Sequence, residues 1–271
     1  MDKFSVVLSV YRGDELSNLE EAIKSVSFQS LKPSEILIGI DGPIKKEISE
    51  YLESLRQNPL FKIIEFKENR GLSTTRKSLI EQTSQEIIAV MDSDDISRPE
   101  RFEKQLQILA KNDLDVVGGW IEEFEDNPKD NGAIRKVPDT SVEIIKLSKW
   151  RTPINHVTLM FKKEPYLEVG GYSEDMSYSE DWHLLVRMIQ NKAKIYNLQE
   201  VLVDVRIDQQ TFKRRRSKRQ IKTDRDLIFW MYQINHIGVI ELVFNIIFRT
   251  LYAFLPLKIA KKVYKRILRK R

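Results

Sequence analysis

Short apolar runs recur along the first 119 residues of the chain. Each run is dominated by apolar residues and is only five to eight residues long, which is typical of strands that are buried in a sheet. The runs are FSVVLSVY at 4–11, EILIGI at 35–40, FKIIEF at 61–66, EIIAVM at 86–91 and DVVGG at 115–119. We therefore predict five strands in this part of the chain.

The stretches between these runs carry apolar residues at helical spacing. Residues 16–26 are an example, with apolar side chains three or four positions apart. Further helices are predicted over about 44–55, 73–83 and 99–109, and Pro99 suits a first helical turn. Strands that alternate with helices predict an α/β fold, in which a mostly parallel sheet has helices on both faces.

Polar residues stand at the ends of the predicted strands, which is where ligands bind in such sheets. They are Ser9, Tyr11, Asp41, residues 69–73 and the acidic run at 92–95. No G-x-G-x-x-G follows the first strand, and no G-x-x-x-x-G-K-[ST] occurs. The sequence therefore excludes the common dinucleotide and P-loop sites.

An acidic run, MDSDD, ends the fourth predicted strand. Mg²⁺ and Mn²⁺ prefer oxygen ligands and are often held by one or two carboxylates together with substrate phosphates. Asp92 and Asp94 are predicted to supply those carboxylates. A structural alternative is that Asp95 or Ser97 caps the helix that follows, and both interpretations can hold at once.

Composition and charge narrow the class of protein. The chain has no cysteine, so a disulfide and a thiolate metal site are excluded. The first residues lack the apolar length and cleavage site of a secretory signal, and we expect none. Residues 1–205 hold 27 basic and 36 acidic side chains, whereas residues 206–271 hold 18 basic and 4 acidic ones. A basic tail of this kind suggests nucleic acid or an anionic membrane as its partner.

Five segments, in this order, resemble the family 2 glycosyltransferases of the GT-A fold. They are SVVLSVYRGDELSNLEEAIKSVSFQS, EILIGIDGP, ENRGLSTTRKSLI, VMDSDDISRPERFEKQ and GGYSEDMSYSEDWHLLVRM. Within that family the chain is most similar to bacterial exopolysaccharide and capsule transferases of the amylovoran-biosynthesis type. The resemblance implies a GT-A (Rossmann-like) fold, with a mixed, mostly parallel sheet that is flanked by helices.

The resemblance implies a donor site at the predicted strand ends. Ser9, Tyr11 and Asp41 would line the pocket for the nucleobase and ribose of a nucleotide-sugar donor, and Asp41 would accept a hydrogen bond from uracil. Arg76 would face the diphosphate or the sugar. In relatives the second strand usually ends in two acidic residues, whereas Asp41 stands alone here. The base that the resemblance implies, uracil, therefore stays open.

The resemblance also implies a metal and a catalytic base. Asp92 would contact the ribose and the metal, Asp94 would hold the metal, which is Mn²⁺ or Mg²⁺, and Asp181 would be the base. Many relatives carry a histidine after the arginine that corresponds to Arg206. This chain has none there, and Asp208 is the candidate substitute.

Helical spacing predicts which of the neighbouring carboxylates Glu180 and Asp181 faces the site. The two side chains differ by about 100° around a helix, and Asp181 shares the apolar stripe of Leu184 and Leu185. We therefore expect Asp181 to point inward and Glu180 to lie at the rim, with a capping role for Asp181 as the alternative. His156 precedes an apolar run, and we expect a structural or acceptor-side role for it.

Two glycines close the fifth predicted strand. Gly118 and Gly119 would permit a close backbone approach to the sugar, and a simple turn explains them equally well. The catalytic domain is predicted at 1–210, with a nucleotide-binding half at 1–119 and an acceptor half at 120–210. A basic amphipathic helical tail is predicted at 211–271.

The tail carries two features that concern a membrane. The stretch 238–257 places Glu241, Asn245 and Arg249 on one helical face, so we do not expect it to span a bilayer. Residues 257–271 combine helical apolar spacing with a face of Lys and Arg, which is typical of a helix that lies in the plane of an anionic membrane. A solvated or packed tail helix is the alternative.

These observations predict an inverting, metal-dependent glycosyltransferase. It would move a sugar from a UDP-sugar to a lipid-linked or polysaccharide acceptor, as a peripheral protein on the cytoplasmic face of the plasma membrane. A sugar nucleotidyltransferase is the enzymatic alternative, but the segment LSVYRGDELSN lacks a Gly-rich loop. A nucleic-acid-binding protein is the non-enzymatic alternative. It leaves the acidic run unexplained, because carboxylates repel phosphate without a metal, and we expect no nucleic-acid partner.

Overall fold

The computed structural model describes residues 3–125, 128, 132–176, 178–207, 217–256 and 259–260. These residues form a nine-stranded sheet that is flanked by helices. The strands are β1 (Phe4–Val10), β2 (Glu35–Asp41), β3 (Phe61–Phe66), β4 (Ile87–Met91), β5 (Ile96–Ser97), β6 (Val116–Phe124), β7 (Ala133–Arg135), β8 (Met160–Lys162) and β9 (Ile195–Arg206).

Nine α-helices are assigned within the described residues. They are α1 (Leu16–Ser27), α2 (Lys46–Leu55), α3 (Leu72–Glu81), α4 (Arg101–Lys111), α5 (Ser141–Ser148), α6 (Lys163–Glu168), α7 (Glu180–Gln190), α8 (Lys218–Gln233) and α9 (Val239–Phe254). A short 3₁₀ helix spans His156–Thr158. The first four helices confirm the four that helical spacing predicts.

The first half of the sheet is parallel, in the order β3-β2-β1-β4. Every residue of β1 and β2 is buried, because helices cover both faces. Val6 and Leu8 pack in the cluster that includes α1, α2 and α4, whereas Val7 between them packs with α3, α6 and α7. This arrangement explains why the strands are almost continuously apolar rather than alternating.

The second half makes the sheet mixed. β8 pairs antiparallel with both β4 and β6, β9 runs parallel to β6, and β5 pairs antiparallel with β9. The short β7 joins the edge of β6. The predicted α/β class, with helices on both faces of the sheet, is confirmed.

The fifth predicted strand is only the beginning of β6. Gly118 and Gly119 lie inside this strand, beside a shift in its register with β9, so the interpretation of the pair as a turn is wrong. A Cβ atom added at Gly118 would collide with the side chains of Ile154 and Asn197. Glycine is needed here because neighbouring side chains fill the space that a Cβ would take.

α4 begins without a side-chain cap. Its N-cap residue is Glu100, which makes no capping hydrogen bond, so the interpretation of Asp95 or Ser97 as the cap is wrong. The strand β5 separates the acidic run from the helix, and Asp95 is used there. Its carboxylate accepts a hydrogen bond from the backbone N–H of Arg206 at 2.9 Å.

α8 packs against α7. It places Leu227, Ile228 and Met231 in a buried cluster with Trp182 and Val186. The predicted boundary at residue 210 between a catalytic domain and a tail stays a prediction.

α9 follows α8 and contacts it. None of the helices in the described part of the chain is long and apolar enough to cross a membrane. The predicted amphipathic helix at 257–271 lies outside the described residues, except for positions 259 and 260.

Candidate functional site

The carboxyl ends of β1, β2 and β4 lie side by side, because these strands are parallel neighbours. The residues that follow them lie at one edge of the sheet, as the sequence predicts. α3 and α7 cover the same face of the sheet, and their side chains reach this edge. Four predicted site residues come together there through electrostatic contact, namely Arg76, Asp92, Glu180 and Asp181.

Asp41 fixes the loop that leads into α3. Its buried carboxylate accepts hydrogen bonds from the side chain of Asn69 at 3.0 Å and from the backbone N–H groups of Arg70 at 2.7 Å and Gly71 at 3.1 Å. Gly71 has φ of 86°, a conformation that suits glycine. Asp41 thus ties β2 to the start of α3, and its part in recognising a base stays a prediction.

Ser9 and Tyr11 mark the end of β1 differently. Ser9 is buried beside Gly39 of β2, whereas Tyr11 is 45% exposed. The hydroxyls of Ser9, Ser73 and Thr75 are buried and have no hydrogen-bond partner within the described residues. Buried hydroxyls without a partner are uncommon in proteins, and these three are available to hydrogen-bond a ligand.

Arg76 is the buried centre of the site. The guanidinium is 2% exposed, forms a short ion pair with Asp92, and lies 3.7 Å from a carboxylate oxygen of Glu180. Burial alone would lower the pKa of Arg76, but the charges of Asp92, Glu180 and Asp181, together with Tyr172, raise it above its ordinary value. Arg76 therefore stays charged and joins α3 to β4 and α7.

The acidic run is held in place from β9. Arg206 donates its backbone N–H to Asp95 at 2.9 Å and its side-chain Nε–H to the carbonyl of Asp94 at 3.2 Å. Burial raises the pKa of Asp95 well above its ordinary value, and the charges of Asp94 and Asp92 add to the effect. Asp94 has an exposed side chain, whereas Asp95 is buried. Asp95 therefore holds the acidic run to β9, whereas the side chain of Asp94 is exposed to solvent.

The orientation predicted for Glu180 is wrong. Glu180 is buried, and Asp181 is the more exposed of the two. The reason is that Glu180 is the first residue of α7, where its carboxylate turns toward the buried Arg76. Burial, with the charge of Asp181, raises the pKa of Glu180 to about 8.

Asp181 keeps a position next to the site. Its Oδ1 accepts a hydrogen bond from the backbone N–H of Trp182 at 2.7 Å, while Ser179 is the N-cap residue and makes no capping bond. Burial raises the pKa of Asp181, against the lowering effects of that N–H and of the charges of Arg135 and Arg76. A carboxyl with a raised pKa at a strand-end cleft is a candidate for proton transfer.

His156 lies under the same cluster. Its Nε2 is 2.7 Å from the hydroxyl of Tyr172. Burial, followed by the charge of Arg76, lowers the pKa of His156 to about 3. The imidazole is therefore neutral, which suits the predicted structural role better than proton transfer.

Sequence reasoning missed several residues of this site. Asp14 is buried and accepts a hydrogen bond from the backbone N–H of Tyr11 at 2.9 Å. It also forms a side-chain hydrogen bond with Ser93 in the acidic run. Burial is the main cause that raises its pKa to about 7, and the charges of Asp94 and Asp92 contribute. Its place four residues after β1 is a signal that could have found it.

Arg101 and Tyr172 were missed because their roles depend on tertiary packing. Arg101 is fully buried beneath the acidic run, where it donates to the carbonyl of Val90 at 2.8 Å. Burial lowers its pKa to about 9, although the charges of Asp92 and Asp95 act in the opposite direction. Asp208, a further predicted site residue, lies outside the described residues.

The carboxylates of the acidic run offer oxygen donors to a divalent cation. No group of three or more His, Asp or Glu side chains is arranged to hold a metal within the ranges that the structure describes. The oxygen donors do fit an ion that takes one or two carboxylates and completes its shell with phosphates. Asp94 is exposed, Asp92 is partly exposed, and both charges bear on the neighbouring Asp14, so negative charge is concentrated at this point.

Known proteins match this chain in sequence over most of its length. The family model described as Glycosyl transferase family 2 matches residues 5–170. A UDP-Gal:alpha-D-GlcNAc-diphosphoundecaprenol beta-1,3-galactosyltransferase of Escherichia coli is 34% identical over 269 residues, which are 99% of this chain and 97% of that protein. The amylovoran biosynthesis glycosyltransferase AmsE of Erwinia amylovora is 26% identical, over 97% of this chain and 98% of its own.

Solved structures share the fold. TarS 1-349 of S. aureus in complex with UDP superposes with a TM-score of 0.61 at 17% identity, over 84% of this chain and 64% of that one. In a longer TarS structure, the chain spans 39% of the length. The mannosyltransferase PcManGT of Pyrobaculum calidifontis, in complex with GDP-Man and Mn²⁺, gives a TM-score of 0.64 at 16% identity, over 96% of this chain and 72% of that one. The likeness confirms the predicted fold class.

Proposed function

Because this chain belongs to glycosyl transferase family 2, we propose that it moves a sugar from a UDP-sugar to a lipid-linked saccharide, with inversion at the anomeric carbon. One observation carries the proposal. The buried Arg76 connects Asp92, at the end of β4, with Glu180, at the start of the helix that also holds Asp181. A single buried cation therefore joins the predicted donor side to the helix that carries the predicted base.

The choice of substrates is supported by relatives. The E. coli relative is named for UDP-Gal and for an acceptor on diphosphoundecaprenol, and a TarS structure holds UDP. The E. coli relative and AmsE align over nearly their whole length. We therefore propose a role in cell-surface polysaccharide biosynthesis, on the cytoplasmic face of the membrane.

Ser9, Tyr11 and Asp41 are proposed to form the nucleotide pocket. The buried hydroxyl of Ser9 would gain a partner there, and the exposed ring of Tyr11 offers an apolar surface to a base. Asp41 would act chiefly by holding the loop at 69–71, since both of its oxygens already accept bonds from that loop.

Asp94, with Asp92, is proposed to hold a Mn²⁺ or Mg²⁺ ion against the donor diphosphate. When bound, such an ion supplies Lewis-acid stabilisation of the negative charge on the leaving diphosphate. Arg76 would keep Asp92 oriented through their ion pair. Arg206 would keep the backbone of the acidic run in position through its bond to the carbonyl of Asp94.

Asp181 is proposed to take the proton from the attacking hydroxyl of the acceptor. Its raised pKa makes it a better proton acceptor than an ordinary aspartate. Attack from the face opposite the leaving group, assisted by one base, inverts the anomeric carbon. Glu180 would not share this role, because it is buried against Arg76.

Calorimetry with UDP tests the metal assignment. The wild-type chain should bind UDP more tightly with Mn²⁺ than without it, because a cation held by Asp94 and Asp92 would offset the negative charge of the diphosphate. Asp94→Ala should abolish sugar transfer and remove the gain that Mn²⁺ provides, while leaving metal-free UDP binding intact. The matched control is Glu164→Ala, an exposed carboxylate near the amino end of β4, which should behave as wild type. Equal UDP affinity with and without metal in the wild type would remove the basis for the assignment.

A further inference from the structure

α9 turns its polar side toward the protein. Asn245 is buried and donates to the carbonyl of Lys149 at 2.9 Å. Glu241 pairs with the ammonium group of Lys149 at 3.3 Å, and Arg249 pairs with Asp224 of α8 at 2.6 Å. The prediction that Glu241, Asn245 and Arg249 share one helical face is confirmed, and that face lies against α5 and α8.

The opposite side of α9 is apolar and exposed. Phe244 is 62%, Leu251 64% and Phe254 80% exposed to solvent. We call this surface the apolar face, and its exposed members are Val239, Ile240, Val243, Phe244, Ile247, Phe248, Leu251 and Phe254. A contiguous exposed surface of large apolar side chains marks a site of interaction rather than ordinary protein surface.

We propose that the apolar face inserts into the interfacial region of an anionic membrane. The basic residues near the two ends of this region support a membrane as the partner. Residues 213–222 hold seven Lys or Arg and no acidic residue, and residues 257–271 hold eight and none. Three of these side chains, Lys218, Arg219 and Lys222, are exposed on the described part of α8. One basic segment leads into α8 and the other follows α9, so the chain offers both contributions to membrane binding, namely apolar area to bury and attraction to anionic lipid.

A second copy of the chain fits the apolar face less well than an anionic membrane does. Joining two apolar faces would bring together two sets of the basic segments that precede α8 and follow α9. Like charges at such an interface oppose association, whereas anionic lipid headgroups neutralise them. Each Lys or Arg near an anionic surface contributes favourably to binding.

The polar side of α9 links this face to the candidate base. Arg249 stacks over the ring of Trp182 at 4.7 Å and pairs with Asp224, which in turn accepts a hydrogen bond from Ser179 at 2.8 Å. Ser179 immediately precedes α7. A docked α9 would therefore hold the start of α7 close to the bilayer, where the sugar of a lipid-linked acceptor would be presented. This consequence rests on the proposed function, whereas the docking itself does not.

Vesicle flotation of the full-length chain tests the docking. The wild type should float with vesicles that contain phosphatidylglycerol, and less with neutral phosphatidylcholine vesicles. The double variant Phe244→Glu/Leu251→Glu should lose at least tenfold in partitioning. The matched control Phe28→Glu/Leu167→Glu changes charge equally at two exposed apolar residues outside α9 and should stay within twofold of the wild type.

A site-specific label gives a second readout. The chain has no cysteine, so Phe244→Cys and Phe28→Cys can each carry one environment-sensitive fluorophore. With anionic vesicles, the label at position 244 should shift to shorter wavelength, as expected on entry into an apolar phase, and the label at position 28 should not. Circular dichroism and UDP binding check that each variant remains folded.

Three outcomes would overturn the docking. One is unchanged flotation of Phe244→Glu/Leu251→Glu, and another is a label at position 244 that stays in water on bound vesicles. The third is a wild-type dimer, measured by sedimentation, that the same double variant abolishes. UDP binding is measured in the same samples, so a failure of the proposed function is seen separately from a failure of docking.

Discussion

At the scale of single residues, the site is an arrangement of charges that burial makes costly and that mutual contact stabilises. Arg76 is almost fully buried and would be destabilising alone, because an unpaired buried charge costs several kcal/mol. Asp92 compensates its charge, and Glu180 contacts it from a second element. The same contacts fix the start of α7, and with it the position of Asp181.

Asp181, the proposed base, can be tested by removing its proton affinity. Asp181→Asn keeps the shape of the side chain and removes its proton affinity, so turnover should fall by about 10²-fold or more while UDP affinity stays nearly unchanged. The wild-type rate should rise with pH through the raised pKa of Asp181. Steady-state rates from pH 5 to 8 and calorimetry with UDP measure both. The exposed Glu164→Gln is the control, and a crippled Glu180→Gln with an active Asp181→Asn would reverse the assignment.

Protonation of Glu180 should make the stability of the folded chain depend on pH. Its pKa rises from an ordinary 4.5 to about 8 on folding, mainly through burial, so the folded state binds more protons than the unfolded state between these values. Stability therefore falls as pH rises through this window. Glu180→Gln removes this group, and its free energy of unfolding should fall less than that of the wild type between pH 5 and pH 8. Urea unfolding at both values tests this, and parallel pH dependences would contradict it.

At the scale of elements, hydrogen bonds between different strands and loops hold the loops at the edge of the sheet in place. Asp41 ties β2 to the loop before α3 by three hydrogen bonds. Arg206 ties β9 to the acidic run after β4. Contacts between different elements therefore hold the two loops that carry the proposed donor site.

The element-scale prediction concerns β6. Gly118→Ala would drive a methyl group into Ile154 and Asn197, and overpacking of this kind costs about 1–3 kcal/mol. The matched control is Gly238→Ala, where the nearest atom is the flexible end of Glu241 at 3.0 Å, and it should change stability little. Chemical denaturation measures both. Ile154→Ala removes the Cγ2 atom that the added methyl group would meet, so Gly118→Ala should cost less stability in the Ile154→Ala background than in the wild type. Equal stability of the two glycine variants would refute this explanation.

At the scale of the whole molecule, α8 and α9 differ in what they give to the body. α8 buries Leu227, Ile228 and Met231 against α7. α9 buries only Asn245 among its side chains and leaves its apolar face outside. We expect the compact part of the chain to end after α8 rather than at residue 210.

Two truncations test that expectation. A chain that ends at Ile237 should unfold cooperatively and bind UDP with metal, but it should no longer float with anionic vesicles. A chain that ends at residue 210 should lose several kcal/mol of stability, because Trp182 and Val186 lose their buried cover. Thermal unfolding of both chains decides the matter. Loss of cooperative folding in the chain that ends at Ile237 would show that α9 belongs to the core.

The sequence by itself determined the α/β class, the strands β1 to β4, the beginning of β6, the first four helices and the strand-end position of the candidate site. These depend on local periodicity and on the rule that parallel strands present their carboxyl ends at one edge. Family motifs identified the segments that contain Arg76, Asp92 and Asp181. All of these are near-neighbour patterns, so they can be extracted without knowing how distant segments meet.

Tertiary structure decided what depends on distant contacts. Helical angles placed Glu180 at the rim, but Arg76, more than a hundred residues earlier, draws it into the interior. Spacing could not show that Gly118 is enclosed by Ile154 and Asn197. The amphipathic pattern of α9 identified two faces but not which one faces the protein. That was decided by partners on α5 and α8, because paired charges and a buried amide turned the polar face inward.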